Sequence, residues 1–235
     1  MKNLLISKQS LIDFLLVLFS GIILCFMGFY NNFPYVYSDC GTYIGSGFDL
    51  KVPIDRPIFY GLFVRHASLM TSIWLVVLVQ GFIVALSLFY FFKYLSGTTR
   101  FRLYYIAFIV MITFFTSASF HVSQLLPDVF TSVTILTLAL LLLAPKMSKR
   151  DIVITSIMLI LSISVHNSHF LISIALLGLF SLVFFVQKFR HKLDELYISL
   201  KRLVLSWIVV IFSFLMVCTV QYKLGGGFAL SRASQ

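Results

Sequence analysis

The sequence predicts an all-α polytopic membrane bundle, and three observations predict it. Of 235 residues, 60% are hydrophobic and only 11% are charged. Apolar runs near the ~20 residues a bilayer crossing needs recur along the whole length. These runs lack the alternation of barrel strands, and in lipid only a helix or closed barrel satisfies its own backbone. About seven spans are expected, in one transmembrane domain over residues 1–235, with a cytoplasmic N-terminus and a large first extracytoplasmic loop.

Lys2 and Lys8 precede an apolar stretch, but Gly21 to Tyr30 offers no small-x-small cleavage site, so the first helix reads as retained. Span one runs from about Leu11 to Tyr30. The first outer loop, 31–70, follows, and its Pro57 to Met70 portion reads as a short interfacial helix or the start of the next span. Span two covers Thr71 to Tyr94, Ser96 to Arg100 is a turn, and span three covers Phe101 to Phe120. The link His121 to Asp128 leads to span four, which ends at Ala144-Pro145. Asp151 to Gln187 is 37 residues with no charge after the first. One helix of that length would be ~55 Å long against a core of ~30 Å, so it divides into spans five and six, turning at His166-Asn167-Ser168-His169. The basic link Lys188 to Arg202 leads to span seven, Leu203 to Tyr222, and then to a tail, 223–235, read as polar and flexible.

Orientation follows from charge. With the N-terminus inside, thirteen of the 18 lysines and arginines fall on the inner side and five on the outer. The inner set includes Lys2, Lys93, Arg150, Arg190, Lys192 and Arg202; the outer set is Lys51, Arg56, Arg65, Lys223 and Arg232. Basic inner loops account for the +10 net charge without a nucleic-acid partner. The three cysteines, Cys25, Cys40 and Cys218, give no disulfide framework.

This orientation gathers chemistry outside. Asp39, Asp49, Asp55, Arg56, Arg65, His66, His121, Gln124, Asp128, His166, Asn167 and His169 all fall on the outer face, including four of the five histidines. Ionisable groups at membrane depth are costly and mark function. Asp39 is the leading candidate, as a general base or a divalent-cation ligand; its structural alternative is the cap of a helix starting at Gly41. Asp55-Arg56-Pro57 reads as a helix start, with Asp55 near the N-cap and Arg56 offered to a phosphate; the alternative is a local Asp55–Arg56 pair. Arg65 and His66 lie about two turns on and could face the same phosphate, or snorkel. His121, Gln124 and Asp128 would share a helix face, but Pro127 interrupts it, and Asp128 reads more simply as the cap of span four. His166 and His169 are metal candidates with Asp39, against the alternative of a hydrogen-bonded turn.

An acid just after span one, a following Asp55-Arg56-Pro57 segment with aromatic residues after it, and Pro127-Asp128 at the start of span four resemble the polytopic GT-C glycosyltransferases. The resemblance covers roughly Leu11 to Leu143 and rests on short motifs. It implies transfer of a sugar from a polyprenyl-phosphate carrier at the extracytoplasmic face, with Asp39 at the position of the catalytic first-loop acid. It also implies an integral protein of a bacterial inner membrane, partnered by membrane lipids and the lipid-linked sugar. Relatives usually have more spans, so the chain is expected to be a short relative or an N-terminal portion. Arg56 and Arg65 as ligands of the carrier phosphate are an inference from charge alone. Two other classes stay open: a lipid or glycan transporter of flippase type, for which Gln80, Thr113, Thr116, Ser162 and Ser164 offer only mild polarity within spans, and a non-catalytic subunit beside a membrane protein partner.

Overall fold

The computed structural model describes residues 8–144, 146–189 and 199–231. Lys2, Pro145, Arg190, Lys192, the rest of the basic link over 190–198, and Arg232 lie outside the described residues. Among the described residues the chain is all-α: eleven helices, and no strand beyond one isolated bridge between Tyr35 and Gln124.

The helices are α1 (Lys8–Leu24), α2 (Phe26–Tyr30), α3 (Ser38–Asp49), α4 (Phe59–Ala67), α5 (Ile73–Leu95), α6 (Phe101–Phe115), α7 (Ala118–Val122), α8 (Val129–Leu143), α9 (Lys149–Ser164), α10 (Asn167–Phe189) and α11 (Leu200–Lys223). Their starts follow local chemistry. Ser72, Ser148 and Ser199 each accept a hydrogen bond from a first-turn backbone N–H at the heads of α5, α9 and α11. The predicted boundaries change in two places. Span one breaks at Cys25 into α1 and α2, and span three breaks at Thr116, whose extended backbone separates α6 from α7.

Three helices are long and apolar enough to cross a membrane: α5, α10 and α11. α1, α6 and α8 are apolar but shorter. That makes the chain a candidate membrane protein. Burial separates their roles. The most apolar stretch of α5 is 61% buried and that of α10 only 22%, so α5 is the central core helix and α10 is peripheral. α5 is apolar on all faces, as a helix surrounded by others must be; it packs on α1, α4, α6, α7 and α8. α8 joins this group to a second core formed with α9, α10 and α11. The outward faces of α1, α6, α10 and α11 are themselves apolar: Phe14, Phe19, Met111, Phe115, Leu171, Leu182, Ile208 and Phe212 are all exposed. Contiguous apolar surface of this kind suits lipid and not water.

α1 and α5 meet at a pair of glycines. A Cβ on Gly81 would lie 2.5 Å from the Gly21 carbonyl oxygen, so only glycine permits this approach. Ion pairs close one end of the bundle: Asp13 to Arg102 at 2.7 Å and Asp151 to Lys93 at 2.8 Å. The other end carries α3, α4, the α9–α10 turn and the C-terminal segment. That segment is not the free tail expected from composition. Gln221 Nε2 donates to the Ala229 carbonyl at 2.6 Å, and Gly226 sits against the side chain of Val52.

Candidate functional site

The 31–70 loop is built on two short helices, α3 and α4, each starting within a few residues of where the sequence offered a helix. α3 begins at Ser38, not Gly41, and Asp39 is not its cap. The N-cap is Tyr37, whose backbone N–H donates to Cys40 Sγ at 3.1 Å; the Cys40 thiol in turn donates to the Leu125 carbonyl at 3.1 Å. Asp39 therefore occupies the first turn, where the helix dipole favours a carboxylate. α4 begins at Phe59, so Pro57 and Asp55 precede it and Asp55 is not its cap either. The two helices touch backbone to backbone at Gly47 and Gly61; a Cβ on Gly47 would lie 2.0 Å from the Gly61 oxygen.

This contact brings the 51–58 loop over the head of α3. Arg56 is the centre of the result. Its Nη1 meets Asp39 at 3.0 Å, its Nη2 meets Asp55 at 2.6 Å, and its Nε also donates to Asp55. The guanidinium lies 4.8 Å from the centroid of the Tyr43 ring, on α3. Arg56 is mostly buried at 16% exposure, whereas Asp39 and Asp55 are more than half exposed. A buried cation thus holds two carboxylates at the surface. The hydrogen bond from Arg56 lowers the Asp55 pKa, and Asp55 raises that of Arg56. Burial pushes the Tyr43 phenol up to about 12.

Two further elements contribute. Asp128 occupies the N-cap position of α8 but makes no capping hydrogen bond, so the simpler role given it by sequence does not hold. It is exposed, and its charge acts on both Tyr43 and His166. From the α9–α10 turn, Asn167 Nδ2 reaches the Asp55 carbonyl at 3.4 Å, while its Oδ1 is buried without a hydrogen-bond partner among the described residues. His166 lies beside them, and burial lowers its pKa. Three carboxylates therefore share this face with one guanidinium, and a neutral imidazole adds no positive charge.

An apolar groove of about 540 Å³ leads up to the same face between α5, α6 and α8. Val84, Leu88, Phe108 and Ile112 line its depth, and His121, Asp128 and Thr131 line its polar part. Buried polar bonds fix Val122, one of its lining residues, from behind. The Tyr60 hydroxyl donates to Gln80 Oε1 at 2.7 Å, and Gln80 Nε2 donates to the Val122 and Gln124 carbonyls at 3.1 and 2.9 Å. His121 Nδ1 is 3.4 Å from Gln124 Oε1.

Asp39, Asp55, Arg56, Asp128 and His166 are thus brought to one face, with His121 on the adjoining groove. Arg65 and His66 are not. Arg65 donates to the Gly47 and Phe48 carbonyls at the far end of α3, both at 3.3 Å, and His66 bonds the Leu62 carbonyl. His169 is buried with both ring nitrogens engaged: Nδ1 donates to the Ser162 carbonyl at 2.6 Å, and Nε2 faces Thr131 Oγ1 at 2.8 Å. His166 Nδ1 accepts from the Ser168 backbone N–H. The two histidines are a hydrogen-bonded turn and cannot chelate together with Asp39. Among the described residues no group of three or more His, Cys, Asp or Glu is placed to hold a metal ion. Sequence reasoning missed Tyr43 as the platform under Arg56 and the Gly47–Gly61 contact, for which Gly45-Ser46-Gly47 was the available signal. No protein-family model, curated protein or solved structure matches the chain.

Proposed function

We propose that the chain is a membrane glycosyltransferase that crosses the bilayer seven times, with its N-terminus inside, and transfers a sugar from a polyprenyl-phosphate carrier at its extracytoplasmic face. The observation that carries this reading is the meeting of the apolar groove with the acidic face at His121 and Asp128. A long isoprenoid needs an apolar channel open to lipid, and its reacting end needs polar groups at the mouth. Short helices such as α8 and α9, about 22–24 Å long, cross with help from the flanking segments and local thinning.

In this reading Asp39 is the base. The acceptor hydroxyl attacks the anomeric carbon, its proton passes to the Asp39 carboxylate, and the bond from that carbon to the carrier phosphate breaks. Arg56 is the one guanidinium of the cluster, and it already holds Asp39 and Asp55. A carrier phosphate that takes a donor of Arg56 displaces Asp39 and releases it as a base, so donor binding and base activation are coupled. Arg65 has no part, because the α3 carbonyls occupy it. The unbonded Asn167 Oδ1 offers an acceptor to a sugar hydroxyl.

The test is turnover of a polyprenyl-phosphate sugar by the purified chain and by Ile135→Trp, which fills the groove from a residue already 44% exposed. Transfer or hydrolysis by the wild type, with a raised KM in the variant, supports the reading. A wild type that neither binds nor turns over the carrier removes it and leaves the transport and subunit readings.

A further inference from the structure

The opposite end of the bundle holds a second polar cavity, of about 250 Å³, between α1, α5 and the head of α9. Its walls are apolar, with Phe14, Val17, Phe82 and Phe89. Four charged side chains line it: Asp13, Lys93, Arg150 and Asp151. Two of them cancel each other. Lys93 is paired with Asp151, which also accepts from the Tyr94 and Tyr90 hydroxyls. Asp13 is paired with Arg102. That leaves Arg150, exposed and with no hydrogen bond or ion pair among the described residues. The four lining charges sum to zero, but Arg102, from outside the lining, takes Asp13, so Arg150 is the one lining charge left without a partner above apolar walls.

We propose that this cavity binds one anionic phospholipid of the leaflet at this end, with the phosphodiester on Arg150 and the first part of an acyl chain against Phe14, Val17 and Phe82. Phosphatidylglycerol brings one net negative charge to the unpartnered Arg150, whereas in phosphatidylcholine the choline cation cancels the charge of the phosphodiester. A guanidinium offers it a two-pronged hydrogen bond. The cavity lies below the ~300–1,000 Å³ of a site that engulfs a whole ligand, which suits a lipid held by its neck while its chains stay in the bilayer. The surrounding surface of α1, including Leu11, Leu15 and Leu18, is exposed and apolar, so a chain leaving the cavity has somewhere to lie. The proposal rests on the chain being embedded in a membrane and does not depend on the transferase chemistry.

The test uses the full chain in nanodiscs holding phosphatidylglycerol and phosphatidylcholine, followed by gentle release and native mass spectrometry of retained lipid. The expected result is one retained phosphatidylglycerol on the wild type and no phosphatidylcholine. Arg150→Gln lowers retention by roughly fivefold, the ~1 kcal/mol of one cation at a membrane surface. Arg100→Gln, exposed and outside the cavity, leaves it unchanged. Equal losses in both variants would show general attraction to basic residues and overturn the site. So would retention untouched by Arg150→Gln, or full displacement by inorganic phosphate, which would leave the apolar walls without a role. Turnover of a lipid-linked sugar is measured separately, so failure here leaves that reading standing.

Discussion

Replacing Gly47 with alanine tests whether the α3–α4 contact positions the site. The added Cβ would lie 2.0 Å from the Gly61 carbonyl oxygen and 2.3 Å from its carbon. Both are backbone atoms, so no side-chain rotation relieves the clash, and the helices must part by more than an ångström. Overpacking of a tight contact costs ~1–3 kcal/mol, and a rigid backbone neighbour puts this case at the top of that range. Against it stands the ~0.8–1.0 kcal/mol by which alanine is the better helix former. The net expectation is a loss of about 2 kcal/mol. The same helix supplies the control. Gly41 and Gly45 have nothing within 4 Å of an added Cβ, so Gly45→Ala keeps only the propensity gain and stabilises by about 0.5–1 kcal/mol. The assay is thermal unfolding in detergent, with chemical accessibility of Cys40 as a local probe, since its thiol is buried against Leu125. Opposite signs for the two alanines, and a more accessible Cys40 in Gly47→Ala, are expected. Equal shifts for both would refute the contact.

Three further outcomes are expected. Gln80→Leu leaves the buried Tyr60 hydroxyl without its acceptor, at ~1–3 kcal/mol for that group alone, read as a lowered unfolding temperature; Gln80→Glu keeps an acceptor for Tyr60 and costs less through that bond. His166 has a folded pKa below its ordinary 6.5, so the folded state binds fewer protons than the unfolded one in that window. Its contribution is intact above pH 6.5 and is lost as pH falls through the folded value; a pH series of unfolding midpoints should show His166→Gln with a shallower acid slope. Gly81→Ala forces α1 from α5 at a 2.5 Å backbone contact and should destabilise as Gly47→Ala does, but without exposing Cys40.

What the sequence made legible follows from what it encodes locally. Runs of apolar residues fix helices, so the α9–α10 turn, at 165–166, and the link from α7 to α8, at 123–128, fall within a few residues of the expected 166–169 and 121–128. Span three illustrates the limit: Phe101 to Phe120 reads as one span, and the small polar cluster Thr116-Ser117-Ala118-Ser119 near its end is where the extended Thr116 backbone stops α6. The convergence of Asp39, Asp55, Asp128 and His166 was legible because helices that traverse a bundle return loops to shared ends. Their pairing was not. Arg56 and Arg65 look equivalent as isolated cations near one loop, but the Gly47–Gly61 contact turns Arg65 to the far end of α3 and leaves Arg56 over Tyr43. That distinction depends on a backbone approach that no residue periodicity records. Asp39 gave a comparable difficulty: an acid near a helix start resembles a cap, yet here the Tyr37 backbone and the Cys40 thiol fill that role.

In the proposed transferase, Asp39, held by Arg56, is the base of a reaction on a lipid-linked sugar. Asp39→Asn removes the charge while keeping the shape, Asp39 itself is more than half exposed, and Arg56 keeps its pair with Asp55, so the variant should fold. The decisive measurement is carrier binding and sugar transfer by purified wild type and Asp39→Asn, side by side. Both are expected to bind the polyprenyl-phosphate sugar, and only the wild type to turn it over. An Asp39→Asn protein that transfers the sugar at the wild-type rate would contradict it.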